Sequence, residues 1–247
     1  MRLFGYIISI WNEFFGGFKM EIKTDLIGSC FKNGYKVLEN KGLAIIGMSP
    51  GNSYFKQQTI HDLIAFTAQR FTLTYIWIPD IPAEHTYKAL GYTALEAQRK
   101  ARQKGNNLRN HSKRAIEALS NYSLDNKCLI MDWNTDIESN KVYQEKFKYV
   151  QKLYSENLEF CNDVQSETKR VLDAYPHKKE STSKNLIALN EGTQYLLKEL
   201  AFFLAAQKIL NNSQITLLYH QRWPVFEKFF SGYYDGMQNS IGLIIIK

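Results

Sequence analysis

Ser49 lies in the segment Gly47-Met48-Ser49-Pro50-Gly51, directly after a short apolar run, and is a candidate nucleophile. The pattern matches the Gly-x-Ser-x-Gly turn of serine hydrolases, in which the backbone N–H after the serine stabilises an oxyanion. Here that residue is Pro50, which has no N–H, so we exclude the hydrolase interpretation. A tight turn with Asn52 or Ser53 as the N-cap of a following helix remains an alternative to any catalytic role.

A second set of polar side chains lies far from Ser49 along the chain. Tyr195 and Glu199 are spaced i, i+4 in an apolar helical stretch, so they share one face of that helix. A carboxylate in such surroundings is either paired, for example with Lys198, or functional. Tyr219 and His220 end a later apolar run, at the rim where an α/β sheet binds its ligands, although a tyrosine there often serves packing alone.

The net charge of +7 arises in one segment of the chain. Residues 97–116 include seven basic residues and no acidic one, and the rest of the chain has 24 basic and 24 acidic residues. The seven are Arg99, Lys100, Arg102, Lys104, Arg109, Lys113 and Arg114. Helical periodicity places alanines and leucines on one face and most of the basic residues away from it. A charge run is often only a solvated face, but such faces usually mix signs, so a polyanion is a serious candidate partner.

The elements that must position these residues alternate between strands and helices. Short apolar runs typical of buried strands occupy residues 42–48, 73–78, 127–133, 214–219 and 243–246. Helical periodicity covers residues 54–70, 94–119, 138–173, 187–210 and 223–230, with a polar loop at 176–184. This alternation predicts an α/β fold with a mainly parallel sheet, helices on both faces and a ligand site at the carboxyl ends of the strands.

Length and composition exclude several classes of protein. With 247 residues, 45% of them hydrophobic, the chain can form one domain over residues 1–247, in which residues 1–20 are an extension of unassigned role. Three scattered cysteines without a Cys-x-x-Cys pair argue against a disulfide framework and a zinc ribbon. The apolar start of the chain is short, carries Glu13 and has no small-residue cleavage site, so we expect a cytoplasmic protein without a membrane span.

Taken together, these motifs resemble those of the cyclodipeptide synthases. Their order and spacing are similar over about residues 42–221. The matching positions are Gly47, Ser49, Asn52, Phe55, Tyr195, Glu199, Tyr219 and His220. Asn52, Tyr219 and His220 resemble the branch of the family that has Asn, Tyr and His at these places. The resemblance implies a Rossmann-like fold, similar to the catalytic domain of class I tyrosyl- and tryptophanyl-tRNA synthetases.

The resemblance also implies a reaction. Two aminoacyl-tRNAs would be used in sequence to form a 2,5-diketopiperazine, through an aminoacyl-enzyme on Ser49 and a dipeptidyl-tRNA intermediate. Because an ester on tRNA is already activated, the lack of Walker, HIGH-like and KMSKS-like signatures agrees with a reaction that needs no ATP. We therefore expect no cofactor and no metal, and a protein that acts as a monomer.

Catalytic roles follow at the matching positions. Ser49 is expected to be the nucleophile, near the start of a helix whose dipole would stabilise an oxyanion. Tyr195 and Glu199 would hold the ammonium of the bound aminoacyl group. Tyr219 would position the substrate or move a proton.

Supporting roles are expected for further residues. Gly47 would leave room for the aminoacyl group, and Asn52 with His220 would brace the serine loop. The seven basic residues would hold tRNA phosphates. An apolar amino acid side chain is expected, because the candidate pocket walls are Ile45, Tyr75, Trp77 and Leu200.

Two other functions remain open. A nucleic-acid-binding module without catalysis would keep the basic helix and treat Ser49 and Glu199 as structural. A synthetase relative that still activates amino acids would need the ATP signatures that this sequence lacks.

Overall fold

A computed structural model describes residues 20–23, 25–175, 186–236 and 240–247. Its centre is a five-stranded sheet in the order β3-β2-β1-β4-β5, in which every neighbouring pair is parallel. The strands are β1 (Leu43–Gly47), β2 (Leu73–Trp77), β3 (Cys128–Ile130), β4 (Ile215–Tyr219) and β5 (Gly242–Ile245). Each apolar run therefore overlaps a strand, and the predicted α/β fold with a parallel sheet is confirmed.

Helices cover both faces of this sheet, as predicted. They are α1 (Ser29–Glu39), α2 (Gln57–Arg70), α3 (Asp80–Ala89), α4 (Ala94–Leu119), α5 (Lys141–Glu156), α6 (Leu158–Asp173), α7 (Leu186–Ile209) and α8 (Pro224–Phe230). Along β1, Leu43 and Ile45 pack into one apolar cluster with α7, whereas Ala44 and Ile46 pack into the other with α2. Alternate side chains thus anchor helices on opposite faces.

Three helical regions differ from the sequence-based prediction. The stretch 138–173 was predicted as one helix, but it forms α5 and α6, separated at Asn157. The Asn157 side chain accepts a hydrogen bond from the Phe160 N–H at 2.9 Å and donates one to the Tyr234 carbonyl at 3.1 Å, so it caps α6 and fixes the break. Helices α1 and α3 were not predicted. In α3, Pro82 lies in the first turn and Pro79 precedes the helix, and these prolines suggested only the end of a strand.

Helix α4 holds the basic segment, and its bounds match the prediction. A capping box starts it: the Thr93 hydroxyl accepts from the Glu96 N–H at 3.4 Å, and the Glu96 carboxylate accepts from the Thr93 N–H at 2.9 Å. Gly105 allows α3 to approach closely, since a Cβ there would lie 2.4 Å from Cβ of Asp80. The 26 residues of α4 form a rod about 39 Å long at 1.5 Å per residue.

Two of the predicted segments lie outside the residues that the structure describes. Residues 1–19 of the N-terminal extension and the predicted loop 176–184 are not among the described residues. Within the described ranges, no helix is both long and apolar enough to cross a membrane. The single-domain organisation of residues 1–247 stays a prediction.

Candidate active site

The candidate site lies where the strand order of the sheet reverses. β1 and β4 are neighbours, and the chain continues from β1 toward β2 and from β4 toward β5 on the opposite side. In parallel α/β sheets a crevice opens at the carboxyl ends of such a strand pair. A cavity of about 580 Å³ occupies this place, and its lining includes Ser49 after β1, Tyr219 at the end of β4, and residues of α6 and α7.

Four predicted catalytic residues meet in this cavity. Ser49, Tyr195, Glu199 and Tyr219 all line it, although they come from a loop, a helix and a strand end that are distant in sequence. The Tyr195 hydroxyl interacts with the side chains of Ser49 and Glu199, and the Tyr219 hydroxyl interacts with Ser49. The Tyr195 oxygen is buried without a partner at full hydrogen-bond geometry among the described atoms, so it keeps capacity for a ligand.

Glu199 is a carboxyl group held in an apolar wall. Only 6% of the residue is exposed, and burial raises its pKa from the ordinary 4.5 to about 8, against the lowering effect of the Tyr195 hydroxyl. The Lys198 ammonium pairs with the Glu138 carboxylate at 3.2 Å instead of with Glu199. The alternative of a Lys198–Glu199 ion pair is therefore excluded. Burial therefore favours a neutral Glu199 at neutral pH, and the cavity offers a cation a carboxyl group that is not paired with Lys198.

Three neighbours of Glu199, the side chains of Tyr195, Tyr219 and His220, are neutral at physiological pH. Burial raises the pKa of Tyr219 to about 12, and the charge of Glu199 adds to the rise. Burial also raises the pKa of Tyr195 well above its ordinary value. For His220, burial followed by the nearby Arg170 charge lowers the pKa to about 4. Both tyrosines can consequently donate a hydrogen bond.

Contacts around the Ser49 loop differ in part from expectation. The Asn52 side chain accepts from the Tyr54 N–H at 2.9 Å, and the His220 ring stacks on the Tyr54 ring at a centroid distance of 4.2 Å. Asn52 therefore caps a turn inside the loop. The predicted N-cap role of Asn52 or Ser53 is wrong, because α2 begins only at Gln57 with Lys56 as its N-cap.

The position of α2 also affects the expected oxyanion stabilisation. Seven residues lie between Ser49 and Gln57, the first residue of α2. Since a helix dipole acts mainly within its first turn, its support of an oxyanion at Ser49 is not favoured by this arrangement. At Gly47, the end of β1, a Cβ would lie in van der Waals contact with both Leu217 and Trp77, at 3.4 Å, and the expected role of Gly47 in making room for the aminoacyl group stays a prediction.

The predicted apolar walls are only partly correct. Trp77 lines the cavity, but Ile45 and Leu200 are fully buried in the core cluster on the α7 face of the sheet and do not line it. Tyr75 packs at the edge of the same cluster. Other side chains supply the apolar lining, among them Ala83, Val171, Leu172, Leu196, Phe203, Leu217 and Trp223. Sequence periodicity identified the buried strand residues without distinguishing a cavity wall from a filled core.

Helix α6 contributes lining residues that the sequence analysis missed. Glu167, Thr168 and Arg170 face the cavity, with Glu167 and Arg170 joined as an i, i+3 ion pair. The sequence does contain an indication of this pair, because Glu167 and Arg170 are an acid and a base one helical turn apart on an amphipathic stretch. It was hidden because residues 138–173 looked like one long charged, solvated helix.

The basic residues of α4 lie outside the cavity lining. Arg99, Arg102, Lys104, Lys113 and Arg114 are exposed. Lys100 lies over the Tyr92 ring at 4.5 Å from its centroid. Arg109 differs from the rest: its guanidinium pairs with Asp80 at 2.7 Å, and Asp80 is 5% exposed. Removing one partner of a buried ion pair lowers the stability of the fold, so Arg109 also has a structural role that the exposed basic residues lack.

Comparison with known proteins identifies a family. The family described as "Cyclodipeptide synthase" matches residues 29–240. A cyclo(L-leucyl-L-leucyl) synthase from Bacillus subtilis is 28% identical over 204 residues, which are 80% of this chain and 78% of that protein. The crystal structure of a cyclodipeptide synthase from Bacillus thermoamylovorans is 25% identical with a TM-score of 0.76, covering 92% of this chain and 95% of the other.

Two more distant structures share the fold. A cyclodipeptide synthase from Candidatus Glomeribacter gigasporarum, solved bound to Phe-tRNAPhe, has a TM-score of 0.59 at 14% identity and covers 82% of this chain and 86% of the other. The tyrosyl-tRNA synthetase of Archaeoglobus fulgidus has a TM-score of 0.50 at 13% identity, covering 91% of this chain and 59% of the synthetase. The Rossmann-like architecture expected from the sequence is thus confirmed as one shared with class I synthetases.

Proposed function

The chain belongs to the cyclodipeptide synthase family, and we propose that it joins the aminoacyl groups of two aminoacyl-tRNAs into a 2,5-diketopiperazine. The observation that carries this proposal is the meeting of Ser49, Tyr195, Glu199 and Tyr219 in one cavity of about 580 Å³ at the switch point of the sheet. The cavity offers a nucleophile, two hydroxyl donors and an acceptor for a cation. Asn52, Tyr219 and His220 favour the Asn-Tyr-His branch of the family.

Ser49 begins the proposed reaction. Its hydroxyl oxygen attacks the ester carbonyl carbon of the first aminoacyl-tRNA, the bond to the terminal ribose oxygen breaks, and the tRNA leaves with the proton that Ser49 gives up. Tyr219 interacts with Ser49 and is protonated at neutral pH, so it is suited to hold or relay that proton.

Glu199 holds the ammonium of the bound aminoacyl group in this proposal. A neutral Glu199 and a neutral amine carry the same total number of protons as the carboxylate–ammonium pair, so binding can proceed by proton transfer inside the cavity. Its contact with Tyr195 keeps the carboxylate oriented, and the pair formed is charge-assisted in a wall that excludes water.

The second aminoacyl-tRNA completes the sequence. Its amine attacks the ester on Ser49, which forms a peptide bond and restores the serine. The free amine of the resulting dipeptidyl-tRNA then attacks its own ester, closes the ring and releases the tRNA. No step needs ATP, since each ester supplies its own leaving group. We propose that one cytoplasmic, monomeric catalytic domain carries out both transfers without a cofactor.

Expression of the chain in a bacterial host tests the proposed activity. A cyclic dipeptide absent from the vector control is expected in the culture medium by mass spectrometry. In vitro, the same product should form from charged tRNA alone. A folded protein that yields no cyclic dipeptide from any charged tRNA contradicts the function and leaves a nucleic-acid-binding role. Pyrophosphate exchange that depends on amino acid and ATP indicates a synthetase activity instead.

We also propose that the exposed basic residues of α4 bind tRNA phosphates. Arg99, Arg102 and Lys113 are exposed and lie on one side of the helix, and there is no acidic residue between positions 97 and 116. Helix α4 also lies near the Ser49 loop: Lys100 Nζ is 6.0 Å from the centroid of the Tyr87 ring, and the Tyr87 hydroxyl would lie 2.6 Å from a Cβ on Gly51. Phosphate contacts position a tRNA without reading its bases.

Replacing Arg99, Arg102 and Lys113 together by Glu is expected to weaken the binding of charged tRNA and to flatten its salt dependence. Each phosphate contact contributes about 0.7–0.9 to the log–log slope, so the loss of three contacts should reduce the slope by about 2–3. Filter binding across a salt series measures both quantities. Arg109 is left intact, because its pair with Asp80 would confuse binding with folding.

A charge-matched control separates a specific surface from net charge. Lys32, Lys36 and Lys148 are exposed and lie on α1 and α5. Their replacement by Glu changes the net charge equally and is expected to leave most of the slope in place. Equal losses in the two triple variants would mean that α4 acts only through the overall charge of the protein.

A further inference from the structure

The cavity contains a second acidic side chain besides Glu199. Among the described lining residues that acid is Glu167, on α6. Its side chain is 10% exposed, and Arg170 one turn later donates to both of its oxygens, through Nε at 3.2 Å and through Nη2. About half of the Arg170 side chain is exposed. The pair therefore stands where the cavity wall meets solvent, nearer the entrance than Glu199.

The Glu167 carboxylate has bonding capacity left. Two oxygens offer about four lone-pair positions, and the fork of Arg170 occupies one on each oxygen. The next residue, Thr168, is 5% exposed and also lines the cavity, and its hydroxyl has no hydrogen-bond partner among the described residues. An acceptor with free lone pairs beside an unpartnered buried hydroxyl suits a polar cationic ligand rather than a purely structural wall.

Glu167 also lies within electrostatic reach of the reacting groups. Burial is the main cause that raises the pKa of Glu199 to about 8, and the negative charge of Glu167 raises it further. The same charge contributes to the raised pKa of Tyr219. The reaction brings two ammonium groups into this cavity in succession, and while Glu199 holds the first, the second needs its own acceptor.

We propose that Glu167, oriented by Arg170, accepts the α-ammonium group of the second aminoacyl-tRNA, while Glu199 holds that of the first. This assignment rests on the proposed function. Held there, the second amine lies beside the ester on Ser49. The Glu167 carboxylate takes up one ammonium proton, the neutral nitrogen forms a bond to the ester carbon, the bond from that carbon to the Ser49 oxygen breaks, and the serine oxygen takes up a second proton from the nitrogen.

Single-turnover experiments on enzyme loaded with a radiolabelled aminoacyl group test this assignment. The loaded enzyme is discharged either with a second aminoacyl-tRNA or with hydroxylamine, a small neutral nucleophile that needs no ammonium acceptor. Glu167→Gln is expected to load as wild type does, to transfer to aminoacyl-tRNA at least about tenfold more slowly, and to react with hydroxylamine at the wild-type rate. Arg170→Lys keeps the charge but loses the fork, so a smaller loss in transfer is expected.

Glu156→Gln, an exposed carboxylate at the end of α5, serves as the matched control and should behave as wild type in all three measurements. Transfer at the wild-type rate by Glu167→Gln would overturn the assignment. A parallel loss of hydroxylamine discharge would also overturn it, since that result means general damage around Ser49. If the wild-type enzyme never becomes loaded, the proposed function fails and the assignment fails with it. If the wild type is loaded but Glu167→Gln transfers at the wild-type rate, only the assignment fails.

Discussion

The Ser49→Ala variant is expected to take up no covalent label from tRNA charged with a radiolabelled amino acid, whereas the wild-type protein is labelled. The variant lacks the oxygen that forms the ester, and Tyr195 and Tyr219, the hydroxyls that interact with Ser49, are held neutral by burial. Product formation should fall by more than about 10³-fold, as is usual when a nucleophile is removed. Denaturing electrophoresis of the quenched reaction, followed by mass spectrometry of the labelled peptide, measures the result.

Ser53→Ala is the matched control, since it removes a hydroxyl from the same loop four positions later. It should be labelled and should form product. Circular dichroism and a melting curve check that Ser49→Ala is folded, which the partly exposed position of Ser49 favours. Equal labelling of Ser49→Ala and wild type would place the covalent group elsewhere, and a fully active Ser49→Ala would favour direct transfer between two tRNAs.

Much of the fold could be predicted from the sequence, because buried parallel strands and amphipathic helices follow simple hydrophobic patterns. The runs around Ile45 and Leu217 indicated strands, and the alternation of strands and helices placed a site at their carboxyl ends. Helix α4 was predicted with its observed bounds because its apolar face is regular, and the Thr93–Glu96 capping box that begins it was found only in the structure. The α5–α6 break was missed because it depends on one side chain, Asn157, with a tertiary contact to Tyr234.

The candidate site was predictable only where residue types carry a chemical signal. Ser49 and Glu199 stood out as a nucleophile after a strand and as a carboxylate in an apolar helix, and the structure places both in one cavity. Glu167 did not stand out, because an acid on a charged helix looks solvated until the packing of α6 is known. The prediction of the cavity walls was partly wrong for a related reason. Leu200 and Trp77 are both apolar, and only the three-dimensional packing shows that Leu200 lies in the core and that Trp77 lines the cavity.

Glu199→Gln is expected to lose activity and to gain relative stability as pH rises. The amide keeps the shape of the side chain but cannot pair with an ammonium group. A hydrogen bond to a charged group contributes about 1.5–3 kcal/mol, so kcat/KM for charged tRNA should fall about 10- to 150-fold. Glu191→Gln is the matched control on the same helix, since Glu191 pairs with Lys88 at 3.6 Å outside the cavity lining, and it should retain product formation.

The stability of the same variant gives a second, independent result. Burial raises the pKa of Glu199 from 4.5 to about 8, so between these values the folded protein keeps a proton that the unfolded chain has released. The free energy of unfolding of the wild type therefore falls as pH rises through this window, and Glu199→Gln, which cannot ionise, lacks this loss. Urea unfolding between about pH 5 and pH 8 should show the variant gaining stability relative to wild type. A variant that instead loses relative stability as pH rises would mark Glu199 as a stabilising ionised carboxylate, and full product yield would assign it a purely structural role.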